Sequence, residues 1–376
     1  MIQKDAIIVG AGPSGLAISA LLRKSGLDFE ILEKSNQIAN SWKNHYDRLH
    51  LHTVKDFSNL PLLPFPPDYP RYVSRKQVCD YLDSYAEKFN IKPILNSEVV
   101  SISKEEKEWR IMTNNSEYLS KYVIVCTGYN HHPIIPDWKG KEIFSNPWIH
   151  SKDYRNPDKF LNKKVLVVGA GNTGAEIALD LSLKNIQVSM VVRGPLRIVP
   201  REILGIPTQI NAMLLNLLPL GPADMISRVL LHLTTEDLSS FGIRRPEIGS
   251  VRQVKEQEKI PLIDLGTVRA IREGKIKIRP GIREFKKTSI VFENGTEEEF
   301  DSVIFATGYK PGIDGLFKKP HKYFNDKGIP AIKGSESDRG LYFLGFHNHI
   351  TGFLRYINIE SGKILSDIMK QEKNNV

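Results

Sequence analysis

Cysteine is scarce in this sequence, and long apolar runs are missing. The only cysteines are Cys79 and Cys126, too few for a disulfide framework or a cysteine-rich zinc site. The absence of a CxxC pair also excludes a dithiol redox centre. No stretch reaches the roughly 18 consecutive apolar residues that span a bilayer, and no secretory signal precedes the first predicted strand. We therefore expect a cytoplasmic protein without a transmembrane segment.

Catalytic sets made only of side chains are missing as well. The sequence shows no Ser-His-Asp set, no cluster of metal ligands and no pair of carboxylates at a telling spacing. We therefore expect no metal site, and we assign any difficult chemistry to an organic cofactor. The length of 376 residues predicts two or three domains.

Positive charge is in excess but is not concentrated. Lysine and arginine number 52 and aspartate and glutamate 43, for a net charge of +9. Basic residues alternate with acidic ones, as in residues 104–108, which is typical of a solvated surface rather than a nucleic-acid tract. We expect no nucleic-acid partner, although an anionic, phosphate-rich cofactor would meet a favourable field.

Two segments of the chain share one plan, strand, glycine-rich turn, helix and second strand. The first runs from the apolar residues 6–9 to Glu33, and its turn contains Gly10, Gly12, Pro13, Ser14 and Gly15. The second runs from residues 165–168 to Arg193, and its turn contains Gly169, Gly171, Asn172, Thr173 and Gly174. This pattern predicts an α/β fold with two Rossmann-like dinucleotide-binding domains.

The residue that ends each second strand indicates which nucleotide fits. A carboxylate such as Glu33 accepts hydrogen bonds from both ribose hydroxyls, so the first site should take FAD or NAD. A guanidinium favours a 2′-phosphate, so Arg193 predicts NADP at the second site, unless it is simply a surface arginine. In both turns the helix N-terminus supplies N–H groups for the pyrophosphate.

The order of the two units predicts the domain boundaries. We expect residues 1–155 and 285–376 to form a discontinuous FAD-binding domain, and residues 160–284 an inserted NADP-binding domain. The strand that ends at Thr307 and Gly308 is assigned to the returning part of the FAD domain. Between the units, residues 60–70 read as an irregular loop, and the Ser74-x-x-Gln77 spacing predicts a capped helix.

Further motifs resemble the flavin-containing monooxygenases, and within them the YUCCA-type indole-3-pyruvate monooxygenases and their bacterial relatives. The similar stretches are residues 10–16, 41–42, 46–52, 81–82, 84–86, 190–193, 200–202, 261–264, 279–282 and 306–309. The family fingerprint FxGxxxHxxxY matches at Phe144, His150 and Tyr154, but Asn146 replaces its glycine. We expect His150 to tie two domains together rather than to move protons.

The resemblance implies FAD and NADPH as cofactors, and a small organic molecule and dioxygen as substrates. NADPH would reduce the flavin, which would form a C4a-hydroperoxide that oxygenates an indole-3-pyruvate-like acid, a sulfide or an amine. Further cofactor-binding residues that it implies are Lys34, Ser41, Trp42, Leu51, His52, Val99, Thr127, Gly128, Thr307 and Gly308. His52 stands where many members carry an asparagine beside the flavin, and it either donates a hydrogen bond there or lines the pocket.

Several alternatives stay open at this point. The chain is either such a monooxygenase, a flavin reductase or oxidase that releases hydrogen peroxide, or a non-catalytic nucleotide sensor. Arg48 and Arg201 either attract a substrate carboxylate or serve the cofactor and the surface. Residues 208–233 are unusually apolar, and prolines predict two helices there. We expect these helices to be core or a substrate-tunnel wall, ahead of a dimer surface or shallow membrane contact.

Overall fold

The structure, a computed structural model, describes residues 1–257, 259–318, 322–331 and 340–374. Its strands are β1 (Ile2–Val9), β2 (Phe29–Leu32), β3 (Val99–Glu105), β4 (Glu108–Thr113), β5 (Glu117–Val125), β6 (His132–Pro133), β7 (Trp148–His150), β8 (Lys164–Val168), β9 (Gln187–Val191), β10 (Ile198–Pro200), β11 (Glu202–Ile203), β12 (Ile206–Pro207), β13 (Leu262–Asp264), β14 (Ile276–Arg279), β15 (Ile282–Phe285), β16 (Ser289–Phe292), β17 (Glu297–Glu299), β18 (Ser302–Phe305), β19 (Tyr309–Lys310) and β20 (Leu341–Phe343). Its α-helices are α1 (Pro13–Ser25), α2 (Asn40–Lys43), α3 (Arg75–Lys88), α4 (Asn172–Ser182), α5 (Thr208–Leu215), α6 (Leu220–Thr234), α7 (Ser250–Gln257), α8 (Thr267–Arg272) and α9 (Phe353–Lys373).

The first sheet has the order β2-β1-β5-β4-β3, with β20 also paired to β5. Strand β5 changes partners along its length: residues 117–120 pair antiparallel with β4, and residues 123–125 pair parallel with β20. The carboxyl ends of β2, β1, β5 and β20 therefore meet at one edge, where parallel sheets bind their ligands. Helices α1, α3 and α9 cover one face and bury Leu16, Tyr85 and Ile364.

The local signals around the first sheet are confirmed. Ser74 and Gln77 form the predicted capping box at the start of α3. Gly26 ends α1 in the left-handed conformation, so its N–H can bond to the carbonyl of Arg23. These caps fix where the helices begin and end, and so which faces they turn to the sheet.

The second sheet is fully parallel, with the order β14-β9-β8-β18-β7. Strand β18 pairs with β8 on one side and with β7 on the other. The assignment of β18 to the returning part of the first domain is therefore wrong. Its residues 303–305 are fully buried on both faces, and such an apolar strand fits any parallel sheet, so its sequence does not say which sheet it joins.

The returning part of the chain is thus shared between the two sheets. Strands β15, β16 and β17 form an antiparallel sheet, and Phe285, Phe292 and Phe300 pack in one cluster with Phe305 of the second sheet. Within residues 285–376, β20 joins the first sheet and α9 packs on it. Residue 258 and residues 319–321, 332–339 and 375–376, which fall in the predicted domains, lie outside the described residues.

The apolar segment 208–233 forms the two predicted helices, α5 and α6. Its expected role as core is wrong for its exposed residues, such as Leu217, which is 81% exposed, and Leu233, which is 77% exposed. Among the helices of the described residues, none is long and apolar enough to cross a bilayer.

Candidate active site

The three glycines of the first glycine-rich turn have different steric surroundings. Gly10 has a φ of +104°, and a Cβ on it would lie 2.8 Å from the carbonyl oxygen of Cys126. A Cβ on Gly15 would lie 1.9 Å from the Gly10 oxygen, so the helix can approach the strand only without a side chain there. A Cβ on Gly12 would meet no atom within 4 Å. Gly12 therefore faces open space at the N-terminus of α1.

The second turn repeats this division closely. A Cβ on Gly169 would lie 2.4 Å from the oxygen of Ala306, and one on Gly174 would lie 2.0 Å from the oxygen of Gly169. Gly171 again has no atom within 4 Å of its Cβ position. Each turn thus leaves an open cradle at its middle glycine, beside a helix N-terminus that can bind a pyrophosphate. The residues present fit two dinucleotides.

A threonine and a glycine lie opposite each turn. Thr127 and Gly128 follow β5 beside Gly10, and the Thr127 hydroxyl is buried without a partner among the described residues. Ala306 follows β18 and contacts Gly169, and Thr307 and Gly308 come directly after it. The Thr307 hydroxyl donates a hydrogen bond to the carbonyl of Ile134. Thr307 and Gly308 therefore lie at the second turn, a correction to their predicted place in the first domain.

The two strand-end residues differ in burial and in their partners. Glu33 is buried, and its carboxylate accepts hydrogen bonds from the Ala11 amide at 2.7 Å and the Ser35 amide at 2.9 Å. It therefore lies directly against the first turn. Arg193 follows β9, is exposed, and makes no hydrogen bond or ion pair with the described part of the chain. Its guanidinium is available to a ligand at the second turn.

Other predicted site residues also lie near the first turn. Ser41 and Trp42 belong to α2, whose preceding residue Ala39 donates its amide to the Ala11 carbonyl at 3.0 Å. Val99 is buried in the same cluster as Val9 and Leu32. The remaining ones contribute packing and polar contacts: Pro13 starts α1, Ser14 and Leu51 are buried, and Lys34 contacts His131.

Sequence reasoning missed Gly345, which follows β20. A Cβ there would lie 2.3 Å from the Ser14 hydroxyl, so this backbone packs against the start of α1. The signal was a glycine directly after the apolar run 341–344. At the second turn, Asn172 uses its side chain internally, donating to the carbonyl of Pro261 and accepting from the amide of Ile263 at 2.7 Å. Thr173 follows it in the first turn of α4.

Four polar side chains connect the second turn to residues 45–52, and we refer to them as the polar seam: His52, Tyr154, Glu176 and Asp180. Glu176 and Asp180 lie one turn apart on α4, so their side chains share a face. Nε2 of His52 lies 2.6 Å from Glu176 Oε1, and the Tyr154 hydroxyl donates to Asp180 at 2.8 Å. Glu176 was not identified from sequence, although a carboxylate between the apolar residues Ala175 and Ile177 is a visible signal.

Burial sets the chemistry of this seam. Glu176 is only 2% exposed, and its Oε2 has no partner among the described residues. Glu176 Oε1 accepts the Nε2–H of His52, so Nδ1 is the ring nitrogen left for another contact. Burial lowers the pKa of His45 to about 4, so this neighbour is neutral at physiological pH. Burial and the adjacent Glu176 raise the pKa of Tyr46.

A basic cavity of about 460 Å³ opens beside the seam. It is lined by Arg48, His50, Pro70, Arg71, Tyr72, Arg201 and Leu265. The Arg201 guanidinium lies 4.1 Å from the centroid of the Tyr72 ring, and Arg71 pairs with Glu202 at 3.0 Å. Arg48 and Arg201, both singled out from sequence, therefore line one pocket that suits an anionic group.

The fingerprint residues have structural contacts. His150 ends β7, is buried, and accepts a hydrogen bond from the Lys152 amide at 3.1 Å; burial lowers its pKa. Asn146 does not adopt a positive φ, and its side chain donates to the Phe300 carbonyl at 2.7 Å. The asparagine therefore replaces the family glycine without backbone strain. Among the described residues no group of three or more potential ligands could hold a metal ion.

Comparison with known proteins shows which family the chain belongs to. The family model described as "Flavin-binding monooxygenase-like" matches residues 3–320. The chain belongs to this flavin-binding monooxygenase family. It is 42% identical to the probable indole-3-pyruvate monooxygenase YUCCA1 of Arabidopsis thaliana, over 90% of this chain and 84% of that protein.

Two further comparisons agree. The chain is 38% identical to the probable indole-3-pyruvate monooxygenase YUCCA4 of Arabidopsis thaliana, over 97% of this chain and 90% of that protein. Its fold matches the flavin-containing monooxygenase from Stenotrophomonas maltophilia with a TM-score of 0.74, at 21% identity over 97% and 99% of the two chains. This chain is a flavin monooxygenase that uses FAD and NADPH and oxygenates an organic substrate. A reductase or oxidase without such a substrate is not favoured.

Proposed function

We propose that FAD binds at the first turn and NADPH at the second turn of this flavin monooxygenase. The single observation that carries this placement is the pair of open cradles, with buried Glu33 beside the first and unpaired Arg193 beside the second. A carboxylate suits free ribose hydroxyls and a guanidinium suits a 2′-phosphate. The FAD domain then comprises the first sheet with β20 and α9, and the NADPH domain the second sheet with β18.

We further propose an aryl 2-oxo acid of the indole-3-pyruvate type as substrate. The named relatives act on such an acid by their printed names, and the basic cavity supplies guanidinium groups for its carboxylate. The reaction consumes the acid, dioxygen, NADPH and a proton, and it yields the arylacetic acid, carbon dioxide, water and NADP⁺. One oxygen atom enters the product and the other leaves as water.

The chain's own residues bind, orient and shield in this reaction. Bound FAD supplies the redox chemistry that activates dioxygen. Arg48 and Arg201 hold the substrate anion in the cavity. Glu176 holds His52 by its Nε2 at 2.6 Å, so the ring keeps one orientation and Nδ1 can accept a proton or a hydrogen bond. The polar seam around Glu176 closes the junction between the two domains against water.

Removal of Arg193 tests the placement of NADPH. We expect Arg193→Ala to raise the Michaelis constant for NADPH by about ten- to a hundredfold, because a charge-assisted phosphate contact contributes about 1.5–3 kcal/mol. The constant for NADH, which lacks that phosphate, serves as the internal control and should hardly change. Equal increases for both coenzymes in steady-state kinetics would contradict the assignment.

The substrate proposal is tested at Arg201. We expect Arg201→Ala to raise the Michaelis constant for an aryl 2-oxo acid by about tenfold or more, since a charged hydrogen-bond partner of the carboxylate is lost. Oxygenation of an uncharged aryl sulfide should stay within about twofold, because this substrate has no carboxylate to bind. The matched control is Arg283→Ala, an exposed arginine outside the cavity. Equal losses on both substrates would count against a carboxylate site.

A further inference from the structure

The three arginines that line the basic cavity differ in their acidic neighbours. Arg71 pairs with Glu202 at 3.0 Å. Burial raises the pKa of Asp180, and the charge of Arg48 opposes that rise, so Arg48 also has a carboxyl group nearby. Arg201 makes no ion pair with the described part of the chain. Within the described residues, Arg201 is thus the arginine of this cavity whose donors are left for a ligand.

The ring of Tyr72 is in contact with Arg201. The guanidinium carbon lies over the ring, 4.1 Å from its centroid, which is a cation–π contact. A guanidinium that packs against a ring keeps the N–H donors at its edge free, and these donors match the two oxygens of a carboxylate. The donors of an ion-paired guanidinium, such as that of Arg71, are already engaged. The Tyr72 ring therefore holds Arg201 without occupying its donors.

The hydroxyl of Tyr72 binds a carboxylate next to this contact. It donates a hydrogen bond to Oε1 of Glu202 at 2.8 Å, and Arg71 donates to the same oxygen at 3.0 Å. Burial and this hydrogen bond raise the pKa of Tyr72 to about 12, so the hydroxyl keeps its proton at physiological pH. The hydrogen bonds from Tyr72 and Arg71 lower the pKa of Glu202, as does the charge of Arg201. An ionised carboxylate therefore lies within electrostatic range of Arg201.

The backbone on both sides of the stacked pair is anchored. The carbonyls of Arg71 and Val73, which flank the tyrosine, accept hydrogen bonds at 2.9 and 2.8 Å from backbone amides of residues 51–55. The carbonyl of Arg201 accepts the Thr208 amide at 2.9 Å. Because both residues extend from fixed backbone, loss of the ring would change the direction of the arginine side chain and not the course of the chain.

We propose that Tyr72 is a positioning residue that determines substrate specificity. Its ring holds the Arg201 guanidinium at the cavity and keeps it from pairing with Glu202, so that the enzyme prefers substrates with a carboxylate over uncharged ones. The inference rests on the proposed carboxylate site, because Tyr72 acts on the substrate through Arg201. It adds that the selectivity of this site depends on an aromatic side chain that has no charge of its own.

Steady-state kinetics with two substrates, an aryl 2-oxo acid and an uncharged aryl sulfide, test the proposal on the flavin-loaded enzyme. We expect Tyr72→Leu to raise the Michaelis constant for the acid about fivefold, because Arg201 then turns to Glu202. The kcat for the acid and both constants for the sulfide should stay within about twofold, since the sulfide has no carboxylate. Tyr72→Phe keeps the ring and should stay within about twofold of the parent on both substrates.

Double variants separate positioning from a structural role. Tyr72→Leu with Glu202→Gln lacks the competing charge, so the Michaelis constant for the acid should return towards the parent value. Tyr72→Leu with Arg201→Ala should resemble Arg201→Ala alone, because Tyr72 acts through that arginine. The matched control is Tyr69→Leu, which changes a half-buried tyrosine of the same loop that packs on Phe65 and does not line the cavity. This control should bind both substrates like the parent.

Flavin content and thermal midpoint show that each variant is folded. An unchanged Michaelis constant for the acid in Tyr72→Leu, alongside the increase in Arg201→Ala, overturns this inference and leaves the carboxylate site standing. Equal increases for acid and sulfide in Tyr72→Leu also overturn it, and so does a further increase when Tyr72→Leu is added to Arg201→Ala. An Arg201→Ala variant with an unchanged constant for the acid would remove the carboxylate site and this inference with it.

Discussion

Gly12→Ala should give a folded protein that purifies without yellow colour. Gly12 has φ −79° and ψ −173°, an extended conformation that alanine adopts freely, and its Cβ position meets no protein atom within 4 Å. The added methyl group therefore costs the fold almost nothing. It occupies the space where a pyrophosphate approaches the backbone, so flavin affinity should fall by about a hundredfold or more, or about 2.7 kcal/mol.

Gly171→Ala is the matched control for this experiment. Its φ of −79° and ψ of −178° are nearly the same, and its Cβ position is equally open. We expect this variant to keep its flavin and to lose NADPH affinity by a similar factor. Flavin absorbance per chain and titration with NADPH measure the two losses. Stoichiometric flavin in Gly12→Ala, or loss of flavin in Gly171→Ala, would contradict the placement of the cofactors.

His52→Ala should destabilise the protein and uncouple its reaction. The buried Glu176 carboxylate would lose its hydrogen-bond donor at 2.6 Å, and leaving a buried charged acceptor unsatisfied costs about 3 kcal/mol. The same change frees the junction for water. We expect the yield of oxygenated product per NADPH consumed to fall at least tenfold, with hydrogen peroxide in its place. Urea denaturation measures the first effect, and product and peroxide counts measure the second.

Two variants of the partner residue separate charge from hydrogen bonding. Glu176→Gln keeps an acceptor for His52 Nε2, so it should retain most of the coupling. Glu176→Leu removes both the charge and the acceptor; combined with His52→Ala, it should recover part of the lost stability because no buried charge remains. Additive effects of His52→Ala and Glu176→Leu on the free energy of unfolding would show that the two side chains do not interact.

Local signals in the sequence predict the elements around the site well. The glycine spacing predicts both turns, because Gly15 and Gly174 each meet the carbonyl oxygen of the glycine five positions earlier. The Ser74 and Gln77 spacing predicts the capping box of α3, because its hydrogen bonds join residues three positions apart. Glu33 and Arg193 fall at the ends of their strands, as the length of a βαβ unit requires.

Long-range features could not be predicted in this way. The place of β18 in the second sheet depends on pairing with β8, which lies more than a hundred residues earlier. The sequence of an apolar strand does not indicate which strand it will pair with. Glu176 became a candidate only when folding brought it to His52 across 124 positions. The exposure of Leu217 and Leu233 was missed because apolar periodicity shows that a helix has an apolar face, and not what lies against it.

Isotopically labelled dioxygen tests the central claim most directly. The purified enzyme is supplied with NADPH and an aryl 2-oxo acid under labelled dioxygen, and the molecular mass of the product is measured by mass spectrometry. The account predicts an arylacetic acid that carries one labelled oxygen atom, formed with one NADPH consumed. Consumption of NADPH with stoichiometric hydrogen peroxide and unlabelled substrate would contradict it.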